Sequence, residues 1–286
     1  MDTVFKLAHR FVVPSEQVAS PVYSPGGDVP EVGAWGHWIL GGTENGSRTD
    51  ITGNGRNLRN YFGTPQVLDQ GVEFNYNDVW DTNWVPKGEF TMAVVFRRKT
   101  FEQLGGLVIG NLGTSGAGWR QDRFGNPLEG STCIYASYGA PPLPAPEGIG
   151  VNMNSSPNKS EGQSASLGAV TFGSTTVNHR EWVFVLYSVS PVGTVGYSSL
   201  NNPAGRFYDG DGYRGTITNV TGQTVGLGNA HYQPDYANEN SLIDTMEIAE
   251  AILFDHAVTV EEAEAVFERS KMRMKLKGIE LLDLRT

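Results

Sequence analysis

The stretch Met246–Asp255, together with the helical pattern that follows it, constrains the fold more than any other part of the chain. The run Met246-Glu247-Ile248-Ala249-Glu250-Ala251-Ile252-Leu253-Phe254-Asp255 is apolar at both phases of a two-residue period. Strict alternation places Met246, Ile248, Ile252 and Phe254 on one face, with Glu250 among them, and Glu247, Ala249, Ala251 and Leu253 on the other. Such a strand belongs in a sheet that is covered. A helix is predicted from Thr259 to about Lys277. Thr259 and Glu262 have capping-box spacing, and Val258 is placed to begin a hydrophobic staple. Glu261, Glu262 and Glu264 sit at the positive end of the helix dipole. Arg269, Lys271, Arg273, Lys275 and Lys277 sit at its negative end, before Gly278 stops it. Val260, Ala263, Phe267 and Met274 share the predicted buried stripe.

The rest of the chain alternates short β-rich runs with Gly, Asn, Pro and Ser clusters. With 286 residues, 36 glycines and only 18% charged side chains, the pattern is that of one all-β sandwich with many turns and a single large core. Strands are predicted at Phe90–Arg97, Leu107–Gly110, Thr132–Tyr138, Trp182–Val189, Gly215–Val220 and Met246–Phe254. Both alternate sets of Trp182–Val189 are apolar, so this strand is expected in the sheet interior, covered on both faces. From Gly139 to Gly168 the sequence turns to Pro, Ser, Asn and Gly, opening with Pro141-Pro142-Leu143-Pro144-Ala145-Pro146, and reads as a long surface insertion.

Residues 1–32 carry Pro14, Pro21, Pro25 and Pro30 and one short apolar run, Phe11-Val12-Val13. They read as an extended arm that orders on a partner surface, leaving 33–286 as the sandwich with its C-terminal helix. Acidic Asp2 and the lack of an apolar run behind it do not fit a signal peptide. No stretch has transmembrane length.

The ends of the domain carry a resemblance. Trp38-Ile39-Leu40-Gly41-Gly42, Asp50-Ile51-Thr52-Gly53-Asn54-Gly55, Gly71-Val72-Glu73-Phe74 and the strand Phe90–Arg97 follow one another as in the opening of laminin G-like domains. The strand Met246–Asp255 and the helix behind it resemble the closing signature of the same concanavalin A-like jelly rolls. The resemblance runs from about Gly33 to Gly278, with generic strands and loops between its ends. It implies an all-β jelly-roll sandwich, either a lectin-like binding module or a glucanase of the same fold. The segment Val266–Ile279 is also similar to the ending of such domains in bacteriophage structural proteins. Cys133 is the only cysteine, so no intrachain disulfide forms, which fits synthesis in a reducing cytosol. The expected role is therefore a non-enzymatic virion component that decorates a capsid or tail. In that role the arm would bind other virion proteins, the chain would be oligomeric in the assembly, and cell-surface glycans would be a further partner. The alternatives are a carbohydrate-active enzyme and a bacterial adhesin module.

Charge narrows the partners. The net charge is −10, and the basic residues gather in the last 18 positions, six Lys or Arg against Glu280 and Asp283. A negative body repels phosphates, which disfavours nucleic acid, and the basic end is explained by dipole matching at the helix terminus.

Catalytic templates find little purchase. Glucanases of this fold carry Glu-x-Asp-x-Glu or a bulged version on one strand, and no Glu here has Asp two residues later. Asp244, Glu247 and Glu250 are spaced by three, which on a regular strand sends neighbours to opposite faces, and Glu250 reads as a structural carboxylate of the sheet. The five histidines lack zincin spacing, Gly53-Asn54-Gly55 reads as a turn, and Ser115 lacks a nucleophile-elbow context. Two binding chemistries remain. Asp209-Gly210-Asp211-Gly212 puts two carboxylates beside flexible backbone, either as ligands for calcium or as an ordinary hairpin turn. Trp80, Trp84 and Trp119, with Tyr232 and Tyr236, lie in turn-like polar surroundings. They either stack on sugar rings or plug the ends of the sandwich.

Overall fold

Burial on both faces of the longest strands sets the architecture. A computed structural model describes residues 29–75, 78–99, 105–111, 132–137, 150–155, 181–190, 193–199, 206–207, 224–228 and 245–283. In chain order the elements are β1 (Gly36–Ile39), α1 (Glu44–Arg48), β2 (Arg59–Phe62), β3 (Gln66–Val67), β4 (Val72–Phe74), β5 (Val79–Asp81), β6 (Phe90–Arg98), β7 (Gly105–Gly110) and β8 (Thr132–Ser137). They continue as β9 (Gly150–Ser155), β10 (Val183–Ser190), β11 (Gly193–Ser198), β12 (Arg206–Phe207), β13 (Gly226–Gly228), β14 (Met246–Phe254) and α2 (Val260–Leu276).

These strands form an all-β sandwich of two antiparallel sheets. One runs β12-β11-β10-β6-β14-β4-β3, with β1 also paired to β14, and the other runs β2-β5-β13-β7-β8-β9. Alternation along β10 explains the layering. Val183, Val185, Tyr187 and Val189 face the other sheet, packed with Trp80, Ile109, Ile134 and Leu227. Phe184 and Leu186 face away from it and pack with Val266, Phe267 and Met274 of α2. The first sheet is thus the middle of three layers, which is why β6, β10 and β14 are apolar at nearly every position. β10 lies between β11 and β6, in the interior position expected for it.

The helix begins where its cap predicts. The Thr259 side chain accepts from the Glu262 backbone, and the Glu262 carboxylate accepts from the Thr259 N–H at 2.8 Å. Its buried stripe is Ala263, Val266, Phe267, Ser270, Arg273 and Met274; Val260 is half-buried at the helix start. Phe267 meets Phe184 at 5.3 Å and Tyr197 at 5.7 Å between ring centroids. Two polar residues in the stripe, Ser270 and Arg273, belong to the site described below.

Three expectations change. Gly150–Ser155, read as part of a surface insertion, forms β9 and pairs antiparallel with β8 from Thr132↔Ser155 to Ser137↔Gly150. Glu31, assigned to the arm, is buried in the sandwich. The alternation of β14 is broken by a bulge. Ile248 pairs with Phe96 and Glu250 pairs with the adjacent Val95, so Ala249 is an extra residue and the faces exchange behind it. Met246, Ile248, Ala251 and Leu253 face the inter-sheet core, while Ala249, Ile252 and Phe254 face α2. The predicted strand Gly215–Val220 and residues 1–28 of the arm lie outside the described residues.

Candidate functional site: the carboxylates of β14 and their partners

The bulge puts Glu250 on the helix side of the sheet, where its register partners are Val95 and Ile39. There it is fully buried, and a cluster of charged and polar groups closes around it. Arg273 of α2 donates from Nε to Glu250 Oε1 at 2.5 Å, from Nη1 to Glu31 Oε2 at 3.0 Å and from Nη2 to Ser270 Oγ at 3.0 Å. Arg269 adds a second donor to Glu31, Nε to Oε1 at 2.7 Å. His37 of β1 stands opposite Ile252. Its Nδ1 accepts from the Glu31 N–H at 2.8 Å, which places the ring proton on Nε2, 2.9 Å from Glu250 Oε1.

Burial is the largest single influence on each group, but only at His37 does it set the direction. It would raise the pKa of Glu250, but the Arg273 guanidinium, with the hydrogen bond from His37, holds the carboxyl down at about 2. Burial lowers the His37 pKa against the pull of Glu250, so the ring is neutral, as its two hydrogen bonds require. Burial also works against the charge of Arg273, but Glu250 and Glu31 outweigh it and raise the pKa. The cluster therefore holds two carboxylates, two guanidiniums and a neutral imidazole of fixed tautomer. Both nitrogens of His37 are engaged, so the ring has no free lone pair with which to act as a general base.

Glu247 occupies a second cluster on the same outer face. Its Oε2 accepts from Arg97 Nη2 at 2.7 Å and Nε at 2.8 Å, and lies 3.3 Å from Lys99 Nζ, which also approaches Glu73. The Arg97 guanidinium lies over the Trp182 ring at 4.4 Å. Room for Glu247 comes from Gly71, where a Cβ would stand 2.9 Å from Glu247 Cγ and 2.7 Å from the Ile248 carbonyl oxygen. Glu247 and Glu250 thus share a face, contrary to the alternation expected from their spacing of three, because the bulge lies between them. What separates them from solvent is burial: they are 1% and 0% exposed.

The basic residues at the end of α2 do more than match its dipole. Arg269 and Arg273 point into the buried cluster. Lys277 Nζ donates to the carbonyl oxygens of Leu40 and Gln70, fastening the last turn to the edge of the sandwich.

The aromatic positions divide. Trp80 and Trp84 are not surface platforms: they are 1% and 5% exposed and belong to the inter-sheet core. Trp80 sits edge-on to Phe74 at 5.5 Å, and Trp84 packs against Trp35 at 5.8 Å and Phe90 at 5.9 Å. Their polar neighbours, which suggested exposure, are turn-formers that steer them inward. Asp78 accepts from the Thr64 and Asn75 N–H groups, Asp81 accepts from the Asn83 N–H, and Asn83 takes a positive φ of 59°. Burial raises the Asp78 pKa against those two backbone hydrogen bonds. Trp119, Tyr232 and Tyr236, and the acidic pair Asp209 and Asp211, lie outside the described residues.

Asp50-Ile51-Thr52-Gly53 is a turn built on one buried carboxylate. Asp50 accepts from the N–H groups of His37, Thr52 and Arg56 and from the Thr52 hydroxyl, and Gly53 and Gly55 take φ of 80° and 72°. Sequence reasoning missed Glu31, His37, Arg269, Ser270 and Arg273 as one unit. The available signal was a buried-strand glutamate, Glu250, followed by an arginine on the buried stripe of the next helix.

No family model matches the chain, and no curated protein matches it. Solved structures do. A Trypanosoma rangeli sialidase in complex with 2-keto-3-deoxy-D-glycero-D-galacto-2,3-difluoro-nononic acid aligns over 86% of this chain at a TM-score of 0.51 and 12% identity. The same enzyme as a covalent intermediate with 2,3-difluorosialic acid aligns over 86% at 0.50 and 11% identity. The chain spans about a third of the length of these sialidase structures, 34% of each. The ligand-binding domain of botulinum neurotoxin serotype D in complex with N-acetylneuraminic acid aligns over 85% of this chain and 51% of its own at 0.42 and 10% identity. The likeness to the sialidase structures, at these identities, is one of fold alone.

Proposed function

We propose that this chain is a non-catalytic, lectin-like jelly-roll module that binds glycans and serves as a decoration or attachment component of a bacteriophage virion. The observation that carries the non-catalytic part is the state of the two β14 carboxylates. A hydrolase of this fold needs one carboxylate free to attack or stabilise and another free to give a proton. Here Glu250 Oε1 is engaged by both Arg273 and His37 and the carboxyl is held at a pKa of about 2, and Glu247 Oε2 is paired with Arg97 and Lys99. A carboxyl held so low is no proton donor at neutral pH. Glycan binding is supported by the structural neighbours, which were solved with sialic acid derivatives, and by the lectin-like resemblance of both ends of the sequence. The virion role rests on the similarity of Val266–Ile279 to phage structural domains, with residues 1–28 as the segment that joins neighbouring virion proteins.

A hydrolase is the second reading, favoured by one observation: the bulge brings Glu247 and Glu250 to a common face. A glycan array probed with the purified chain tests the first. Binding to a defined glycan class supports it, and a blank array at high protein concentration leaves a purely architectural role in the particle.

A further inference from the structure

A cleft of about 460 Å³ opens beside α1, lined by Glu44, Asn45, Arg48, Thr49, Asn57 and Leu58. Its volume falls within the range of small-molecule sites, roughly 300 to 1,000 Å³. Its two walls, residues 44–49 and 57–58, are locked together. The Leu58 N–H donates to the Arg48 carbonyl at 2.8 Å, Arg48 Nε donates to the Leu58 carbonyl at 2.9 Å, and the Asp50 N–H donates to Asn57 Oδ1 at 2.9 Å. The Arg48 guanidinium also lies 5.9 Å over the buried Trp80 ring. Its orientation is therefore fixed by the fold before any ligand arrives.

We propose that this cleft is the sugar subsite of the module and that it takes a neutral, hydroxyl-rich pyranose. The lining alternates acceptors and donors. Glu44 offers a carboxylate, Arg48 its outer N–H groups, Asn45 its side-chain amide and Asn57 its amide N–H groups, a set matched to vicinal hydroxyls that both donate and accept. The Glu44–Arg48 pair spans 3.1 Å, and its partners' side chains are 64% and 31% exposed. Such a pair contributes little to stability and exchanges readily for ligand hydroxyls. Its formal charges cancel, which favours a neutral sugar over a carboxylated one. Among the described residues no aromatic side chain lines the cleft, and a single ring held by polar contacts alone binds weakly, so binding depends on several copies acting together.

The inference rests on the glycan-binding reading and is tested apart from it. Saturation-transfer NMR with methyl glycosides of glucose, galactose, mannose and N-acetylglucosamine, and with N-acetylneuraminic acid, is run on the wild-type chain and on Glu44→Ala and Asn45→Ala. Both side chains are exposed, and an unchanged melting temperature confirms the fold. The expected result is binding of a neutral glycoside with Kd raised at least fivefold in each variant. Equal binding by wild type and both variants overturns the cleft while leaving glycan binding intact. Binding of N-acetylneuraminic acid alone, strengthened by Glu44→Ala, overturns the neutral-sugar chemistry. A wild-type chain that binds none of these sugars, nor any glycan on an array, overturns the glycan-binding reading itself.

Discussion

Arg273 Nε lies 2.5 Å from Glu250 Oε1, and through Nη1 the same guanidinium holds Glu31 at 3.0 Å. One side chain of the terminal helix thus ties the bulged central strand to the segment by which the chain enters the sandwich. Removing one partner of a buried pair is costly because the other charge stays behind, unpaired, at about 3 to 5 kcal/mol. Arg273→Met leaves the buried Glu250 without its cation, whereas Glu31 keeps Arg269. Chemical denaturation is expected to show a loss of this size. Lys271→Ala, which removes the partly exposed Lys271–Asp283 pair, should lose less than about 1 kcal/mol. Equal effects from the two substitutions would show that the cluster holds nothing together.

The same cluster sets the direction of the pH response. His37 is lowered from 6.5 and Glu250 is lowered from 4.5 to about 2. In both cases the unfolded chain takes up the proton first, so the stabilisation is complete above the unfolded values and fades as pH falls. The denaturation midpoint is expected to decline first as pH drops below 6.5, and more steeply from 4.5 towards 2. Glu250→Gln should flatten the lower part. A midpoint that holds steady from pH 7 to pH 3.5 contradicts the assignment.

Gly71 is needed for space, and its substitution reports on the bulge. An added Cβ would meet the Ile248 carbonyl oxygen at 2.7 Å and Glu247 Cγ at 2.9 Å. Gly71→Ala must therefore shift backbone at the bulge or displace Glu247 from Arg97. A loss of about 1 to 3 kcal/mol is expected, as for other overpacked sites. Gly42→Ala serves as a comparison, because its Cβ meets nothing within 4 Å and its penalty comes only from φ of 80°.

Any calcium site of the chain is expected at Asp209 and Asp211, the paired carboxylates that the sequence reads either as calcium ligands or as an ordinary hairpin turn. Titration of chelator-treated protein is expected to release heat and to raise the melting temperature at millimolar calcium. Asp209→Asn with Asp211→Asn should abolish both. No heat and no shift would identify the turn as an ordinary hairpin.

The sandwich and its helix were legible because their signals are local. Two-faced apolar strands announce a middle layer, and Thr259 with Glu262 marks a helix start to the residue. The bulge was not legible, since an alanine within a strand carries no mark that makes it the extra residue. Its consequence, Glu247 and Glu250 on one face, stayed hidden with it. Trp80 and Trp84 misled because Asp78, Asp81 and Asn83 mark turns, and a turn beside a tryptophan does not say which way the ring points. The cluster around Arg273 joins positions 31, 37, 250 and 273. Its members are far apart in the chain, and no spacing rule connects them.

Binding without turnover is most directly tested on a glycan that the protein captures. The bound glycan is incubated with the chain for a day at neutral pH and then weighed by mass spectrometry. The prediction is an intact glycan, with capture unchanged in any Glu247→Gln or Glu250→Gln variant that folds. A shortened glycan whose shortening disappears in either variant would contradict the proposal and establish the chain as a glycoside hydrolase.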